Sequence, residues 1–168
     1  MSQLSLSIES SLLVRDVAGE YRPANADEVL QAAQRLLGAQ LRGREVLTSP
    51  QAVRDFLRVK LGALEHEVFA VLMLDAQNRL IEYVELFRGT VSQASVYPRE
   101  VVKESLALNA AAAIFCHNHP SGVAEPSRAD ELLTQSLKSA LSVVDVRTLE
   151  HLVVAGPRVT SFAERGLL

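Results

Sequence analysis

Two histidines separated by one residue, His117 and His119, are the strongest candidates for chemistry in this sequence. They follow a run of small and apolar residues that predicts a strand, and alternate residues of a strand point to the same side, about 6–7 Å apart. Asp130 follows eleven residues after His119, in the first turn of a predicted helix. Two imidazoles and one carboxylate, with a fourth position left for water, are typical of a catalytic zinc site. We therefore expect one Zn²⁺ per chain.

Hydrolysis at such a site also needs a proton acceptor, and Glu67 is the favoured candidate because it opens a predicted buried strand. A carboxylate at such a place is paired, protonated or used in catalysis. It could collect a proton from an activated water and pass it to a leaving amine. The alternatives are Glu65, Glu82 and Glu85, or an ordinary surface role for Glu67.

Ser127 lies three residues before Asp130 and has two interpretations. Its hydroxyl could donate a hydrogen bond to an oxyanion that forms at the metal. It could instead cap the helix, because serine followed three residues later by an acid is a capping-box pattern. A capped Asp130 can still face a metal, since the helix dipole stabilises its ionised form. For Ser127 itself the two roles compete.

Other polar residues near these positions favour structural roles. Cys116 adjoins the histidines, but strand alternation turns its side chain to the opposite face, which favours the core. His151 opens another predicted strand, where a core or surface role is favoured over support of the ligands. Basic residues outnumber acidic ones between 35 and 60, which indicates a solvated face or, alternatively, a nucleic-acid contact. These basic residues are Arg35, Arg42, Arg44, Arg54, Arg58 and Lys60.

The elements that must position these residues alternate between helix and strand. Helices are predicted from Asn25, as N-cap, to a stop at Gly38, from Ser49-Pro50 to Gly62, and from Pro98 and Ser127 onward. Strands are predicted at 4–8, 67–74, 80–87, 110–116, 143–144, 151–154 and 159–162. Hairpins beside crossovers predict an α/β fold, with a mixed β-sheet flanked by helices.

Composition narrows the class of protein. The chain has 168 residues, 48% of them hydrophobic, with 8 glycines and 6 prolines, so a collagen-like or generally disordered chain is excluded. A net charge of −3 argues against a protein that coats nucleic acid. One cysteine excludes an internal disulfide framework. Residues 1–10 lack a basic or long apolar stretch typical of a secretory signal, and no run is apolar enough to span a membrane, so we expect a cytoplasmic protein.

Taken together, Glu67, His117-x-His119, Ser127 and Asp130 resemble the site pattern of the JAMM (JAB1/MPN/Mov34) metalloproteases. The surrounding sequence is similar to that of the RadC-type branch of the family, over about residues 47–168. The segments that carry this likeness are Phe87-Arg-Gly-Thr90, Tyr97-Pro-Arg-Glu100, His117-Asn-His-Pro-Ser-Gly122, Pro126-Ser-Arg-Ala-Asp130, His151-Leu-Val-Val154 and Ser161-Phe-Ala-Glu-Arg-Gly166.

The resemblance implies a cytidine-deaminase-like JAB1/MPN core, zinc held by His117, His119 and Asp130, and Glu67 as catalytic base. It implies a zinc-dependent hydrolase acting on a peptide or isopeptide. The alternative is a zinc-containing accessory module in DNA repair or mobile-element maintenance. Longer members carry a helix-hairpin-helix region before this domain, and we expect residues 1–46 to be instead an extension packed on the core. Binding to DNA is accordingly expected to be weak or indirect.

Overall fold

The computed structural model describes residues 12–42, 50–89 and 96–168. Within these ranges the chain forms seven strands and four helices. In chain order they are β1 (Leu13–Arg15), β2 (Tyr21–Pro23), α1 (Ala26–Leu41), α2 (Pro50–Leu61), β3 (Val68–Leu74), β4 (Leu80–Arg88), α3 (Pro98–Ala107), β5 (Ala112–Asn118), α4 (Arg128–Ser142), β6 (Arg147–Ala155) and β7 (Arg158–Ser161).

A five-stranded sheet in the order β4-β3-β5-β6-β7 forms the centre of the fold. The β5–β6 pair is parallel and the other three pairs are antiparallel. The predicted mixed sheet is therefore confirmed. The strands β3 and β5 are buried along their whole length, as expected for apolar runs covered on both faces.

Helices cover both faces of this sheet, and the strand side chains alternate between two apolar clusters. On one face, Leu57 and Leu61 of α2 and Leu41 of α1 pack with Ala70, Leu72 and Cys116. On the other face, Val101 of α3 and Leu137 of α4 pack with Phe69 and Phe115. We call these the α2 face and the α3–α4 face. The candidate histidines belong to the α3–α4 face, because they alternate with Cys116 along β5.

The helix predicted to stop at Gly38 runs on to Leu41, so that boundary was wrong. A glycine that ends a helix usually adopts a positive φ, and Gly38 does not. It serves instead as a contact: a Cβ built there would lie 3.5 Å from the Phe56 ring of α2. The predicted start is confirmed, since Asn25 and Glu28 form a full capping box.

A second correction concerns residues 143–144, which were predicted as a strand. They form the turn that ends α4, where Asp145 has a φ of 58° and the Val146 amide donates to the Leu141 carbonyl. The strand predicted from His151 begins earlier, at Arg147. A run of only two β-branched residues is too short to predict whether the chain forms a strand or a tight connection into β6.

The region before α2 contains a hairpin that the sequence patterns did not predict. The β1–β2 hairpin was not predicted, and it pairs Leu13 with Pro23. The strand predicted at 4–8 and the N-cap predicted at Ser49 lie outside the described residues. The division of the chain at residue 47 stays a prediction, although α1 contributes Leu41 to the core of the α2 face. Among the described residues, no helix combines the length and apolarity needed to cross a bilayer.

Candidate metal centre

The side chains of the two histidines lie close together at the end of β5. His117 is the last but one residue of the strand, and the His119 amide continues the pairing by donating to the Val154 carbonyl at 2.8 Å. The two Nε2 atoms lie 2.9 Å apart. The His119 ring is fixed from behind, because its Nδ1 is 2.7 Å from the Val123 carbonyl oxygen. A carbonyl only accepts, so His119 carries a proton on Nδ1 and turns Nε2 toward His117.

Asp130 reaches the same point from the first turn of α4. Its Oδ1 lies 3.4 Å from His117 Nε2, and its Oδ2 lies 3.5 Å from His119 Nε2. Ser127 holds this carboxylate in place: its amide and its hydroxyl both donate to Asp130 Oδ2, at 2.6 and 2.7 Å. The capping box is thus present, and the Ser127 hydroxyl proton points at Asp130.

The spacing of these atoms fits a small divalent ion. Ligand atoms from His117, His119 and Asp130 all lie within 4.8 Å of one another. Four ligands placed tetrahedrally at the usual Zn–N and Zn–O distances of about 2.0–2.1 Å are about 3.3 Å apart, close to the separations seen here. The side chains are 2%, 17% and 13% exposed, so one side of the group is open to a further ligand.

Contacts within the group shift the pKa values of Asp130 and His119 in opposite directions. Burial opposes ionisation of Asp130, but its contacts with His117 and His119 outweigh this opposition and hold the pKa of the carboxyl far below its usual range. The hydrogen bond that the His119 ring donates to Asp130 is the main reason that the pKa of His119 is raised. The ionised form of Asp130 is therefore strongly favoured, and a cation at this point is favoured as well.

Glu67 lies on the same face as the histidines. Phe69 pairs with His117 across β3 and β5, so the position two residues earlier, Glu67, faces His119. Burial is the main cause that raises the pKa of Glu67, and the neighbouring His117 and His119 oppose the rise. A carboxyl with a raised pKa next to the candidate ligands suits a group that must accept a proton and later release it.

Asn118, which sequence analysis passed over, fixes the chain around Glu67. Its Oδ1 accepts from the Val68 amide at 2.8 Å, and its Nδ2 donates to the His66 carbonyl at 2.9 Å. The Glu67 carbonyl in turn accepts from the Gly89 amide at 2.8 Å. The position of Asn118 between the two histidines could have indicated this role, because strand alternation turns its side chain away from the histidines and toward the neighbouring turn.

The alternative carboxylates lie elsewhere. Glu65 is exposed. Glu85 lies 3.7 Å from Lys60 and pairs with Ala70, whose side chain faces α2. Glu82 pairs with Met73, toward the other end of β3.

Cys116 is fully buried on the α2 face, where its Sγ lies 3.4 Å from the Ala70 carbonyl oxygen. Burial raises the pKa of its thiol, as expected for a core cysteine. The core interpretation of Cys116 is confirmed.

His151 is completely buried on β6, and its Nε2 lies 2.8 Å from His117 Nδ1. Burial lowers its pKa well below the ordinary value, so it is neutral. Its Nδ1 lies 2.6 Å from Oγ1 of Thr134, another residue that sequence analysis passed over. Thr134 follows Asp130 by one helical turn, and this spacing places both on the same face of α4.

The fold is thus an α/β domain with a mixed sheet covered on both faces. A His-x-His pair at the end of its central strand and an aspartate at a helix start form a group that could hold a metal ion. Residues 47–167 match the family described as "RadC-like JAB domain". The chain therefore belongs to the RadC-like JAB domain family.

Curated relatives agree with this membership. A UPF0758 protein of Leptothrix cholodnii is 65% identical over 150 residues, which cover 89% of this chain and 68% of that protein. A UPF0758 protein of Methylibium petroleiphilum is 60% identical over 167 residues, covering 95% and 75%. One from Aromatoleum aromaticum is 62% identical over 151 residues, covering 89% and 67%.

Proposed function

We propose that this protein is a zinc-dependent hydrolase that cleaves an amide bond in a peptide or an isopeptide. The observation that carries the proposal is the convergence of His117, His119 and Asp130, whose ligand atoms lie within 4.8 Å of one another. Two imidazole nitrogens and one carboxylate with an open side match the donor set of hydrolytic zinc sites. Membership in the RadC-like JAB domain family supports the same reaction class.

The chain's own residues supply the proton transfers in this proposal. Zinc, when bound to His117, His119 and Asp130, would lower the pKa of a water molecule to about 7 and polarise the substrate carbonyl. Glu67 takes the proton from the attacking water and delivers it to the leaving amine. Its raised pKa supports both steps, because the carboxyl can hold the proton between them.

Ser127 has a supporting part in the reaction. Its amide and hydroxyl keep Asp130 Oδ2 fixed, which leaves Oδ1 turned toward His117. Donation to an oxyanion by the same hydroxyl requires its proton to rotate away from Asp130. We propose that orienting Asp130 is the main role of Ser127 and that donation to the substrate is a secondary one.

Metal analysis followed by substrate profiling tests the proposal. Purified protein is expected to hold about one zinc per chain, and the zinc-loaded protein is expected to cleave members of a library of peptides and lysine-linked isopeptides. Stripping the metal with a chelator should abolish cleavage, and adding zinc back should restore it. Protein that binds no zinc, or zinc-loaded protein that cleaves no peptide or isopeptide bond, would contradict the proposal.

A second candidate function is an accessory module that contacts nucleic acid. It is favoured by a cleft of about 620 Å³ between α1, α2 and β4, which Arg35, Arg42 and Lys60 line. Lys60 also lies 3.7 Å from Glu85. Outside the cleft, Arg54 is paired with Glu164 and Arg58 with Asp55. A salt-dependent shift of DNA mobility that is lost when the three cleft cations are replaced by glutamine would support this role.

A further inference from the structure

One buried polar side chain takes no part in the proposed hydrolysis. His151 lies between Thr134 of α4 and His117 of β5, and it makes hydrogen-bonding contacts of 2.6 and 2.8 Å to them. Thr134 Oγ1 also donates to the Asp130 carbonyl at 2.6 Å. These four residues form a continuous hydrogen-bonded row, the imidazole chain, which joins two of the candidate ligands through the core.

The direction of the hydrogen bonds in the imidazole chain follows from counting protons. Thr134 has one hydroxyl proton, and it is donated to the Asp130 carbonyl. The Thr134 oxygen must then accept from His151, so His151 carries its proton on Nδ1. His151 is enclosed by aromatic rings, with centroids 4.5 Å away at Phe162 and 5.7 Å away at Phe115, so a charged imidazolium is disfavoured there.

A neutral His151 with its proton on Nδ1 has a lone pair on Nε2. That lone pair accepts from His117 Nδ1 at 2.8 Å, so His117 is protonated on Nδ1. Its Nε2 is then free of a proton and faces His119 and Asp130. This is the only form of a neutral imidazole that can bind a metal through Nε2.

The opposite direction of the hydrogen bonds in the imidazole chain would place the His117 proton differently. If Thr134 donated to His151 Nδ1, His151 would donate from Nε2 and His117 would carry its proton on Nε2. That proton would point into the cluster of ligand atoms, and the close contact from Thr134 to the Asp130 carbonyl would lose its hydrogen bond. The forward direction is therefore favoured, because it alone keeps the hydrogen bond from Thr134 to the Asp130 carbonyl.

We propose that Thr134 and His151 are positioning residues that hold His117 in the form protonated on Nδ1, with Nε2 ready to bind the metal. This inference rests on the proposed metal site and names the residues that prepare it. The two candidate histidine ligands differ in this respect. A backbone carbonyl fixes His119 from behind, whereas the partner of His117 is an imidazole whose own direction depends on a hydroxyl.

A matched pair of variants at Thr134 tests the inference. Thr134→Val keeps the shape of the side chain but leaves the His151 Nδ1 proton without an acceptor, and Thr134→Ser keeps the hydroxyl. In Thr134→Val we expect His151 to move its proton to Nε2, which forces the proton of His117 onto Nε2 as well. Zinc affinity should then fall by about 10- to 100-fold, the usual effect of losing a partner of a ligating histidine. Thr134→Ser should stay near wild type.

The tautomers are read directly from ¹⁵N NMR of histidine-labelled protein without metal, and zinc affinity from competition with a chromophoric chelator. The wild type and Thr134→Ser are expected to show His117 protonated on Nδ1, and Thr134→Val on Nε2. A wild-type His117 protonated on Nε2, or equal zinc affinities in the Val and Ser variants, would overturn the inference.

Variants at His151 provide an independent reading. His151→Phe removes the acceptor, while His151→Gln keeps an oxygen that can accept from His117 Nδ1, so the Phe variant should bind zinc about 10- to 100-fold more weakly than the Gln variant. Circular dichroism of each variant establishes that it is folded. Wild-type protein that binds no zinc would contradict the proposed function, and the metal-free tautomers would still decide the present inference.

Discussion

On the α2 face of the sheet, Leu72 and Cys116 pack into an apolar cluster with Leu57, whereas on the α3–α4 face Phe69 and Phe115 share the core with buried polar side chains. The α2 face is stabilised by removal of apolar surface from water. The α3–α4 face buries imidazoles and a hydroxyl, and each of these would cost about 1–3 kcal/mol if it lacked a partner.

This difference shows how one strand serves two purposes. β5 sends alternate residues to each face, so Cys116 contributes to packing while His117 contributes to the candidate site. On the site face the partners are fixed by hydrogen bonds of defined direction, which position atoms more sharply than apolar contacts do. We therefore expect substitutions on the two faces to have separable effects, on stability for the α2 face and on metal binding for the α3–α4 face.

The largest effect is expected from replacing both histidines. His117→Ala combined with His119→Ala removes two of three ligands, so zinc content should fall from about one per chain to none, with loss of hydrolysis. Cys116→Ala, on the opposite face of the same strand, is the matched control and should retain zinc. Atomic emission analysis of dialysed protein measures the zinc content of both variants. An unchanged zinc content in the double variant would show that zinc does not bind at His117 and His119.

Glu67→Gln is expected to separate catalysis from metal binding on the same face. The substitution keeps the size of the side chain but removes the proton acceptor, so hydrolysis should fall by about 10²- to 10⁴-fold at unchanged zinc content. The kinetics are measured with a peptide obtained from substrate profiling. Glu65→Gln is the control, since Glu65 is exposed, and equal activity of Glu67→Gln and wild type would transfer the base to another residue.

Leu57→Ala tests the α2 face alone. Leu57 is fully buried in the cluster of that face, and its truncation should lower the free energy of unfolding by about 2–5 kcal/mol. Urea unfolding followed by circular dichroism measures the loss. Zinc affinity of the folded protein should match wild type, and a parallel fall in affinity would show that the two faces are coupled.

The smallest effect is expected from pH, and it has opposite signs with and without zinc. The pKa of His119 is raised in the folded protein, mainly by its hydrogen bond with Asp130. Protonation of His119 thus stabilises the metal-free fold fully below the ordinary pKa of about 6.5, and this stabilisation is lost as pH rises through the raised value. Zinc needs the neutral imidazole, so its affinity should increase over the same range.

Thermal unfolding of metal-free protein between about pH 6 and pH 8 is expected to show a falling Tm, while zinc titrations over that range show tighter binding. His119→Gln should flatten the dependence of the metal-free Tm. A Tm difference between wild type and His119→Gln that does not change over this interval would mean that the interaction between Asp130 and His119 does not stabilise the folded chain.

Much of the candidate site follows from local rules. The alternation of a strand brings His117 and His119 to one side and sends Cys116 to the other, and the serine-to-aspartate spacing predicts the capped helix start at Ser127. Long apolar runs predict the buried strands β3 and β5. The catalytic assignments of Glu67 and Ser127 stay predictions.

The errors of the sequence analysis fall where distant parts of the chain decide the outcome. Gly38 is typical of a helix end, but the ring of Phe56 packs against it and the helix continues. Residues 143–144 favour a strand by their composition, yet the connection from α4 to β6 needs them in a turn. In both cases a local preference of less than about 1 kcal/mol is overridden by tertiary packing.

The sequence by itself determined which donor groups share a face, because residue types and short spacings fix this arrangement. Only the tertiary structure decided how these donors are prepared. Parallel pairing of β5 with β6 sets Phe115 beside His151, and one turn of α4 brings Thr134 to the same ring. The direction of a hydrogen bond depends on every neighbour that can accept or donate, and here those neighbours come from three elements, β5, α4 and β6, which only the fold brings into contact.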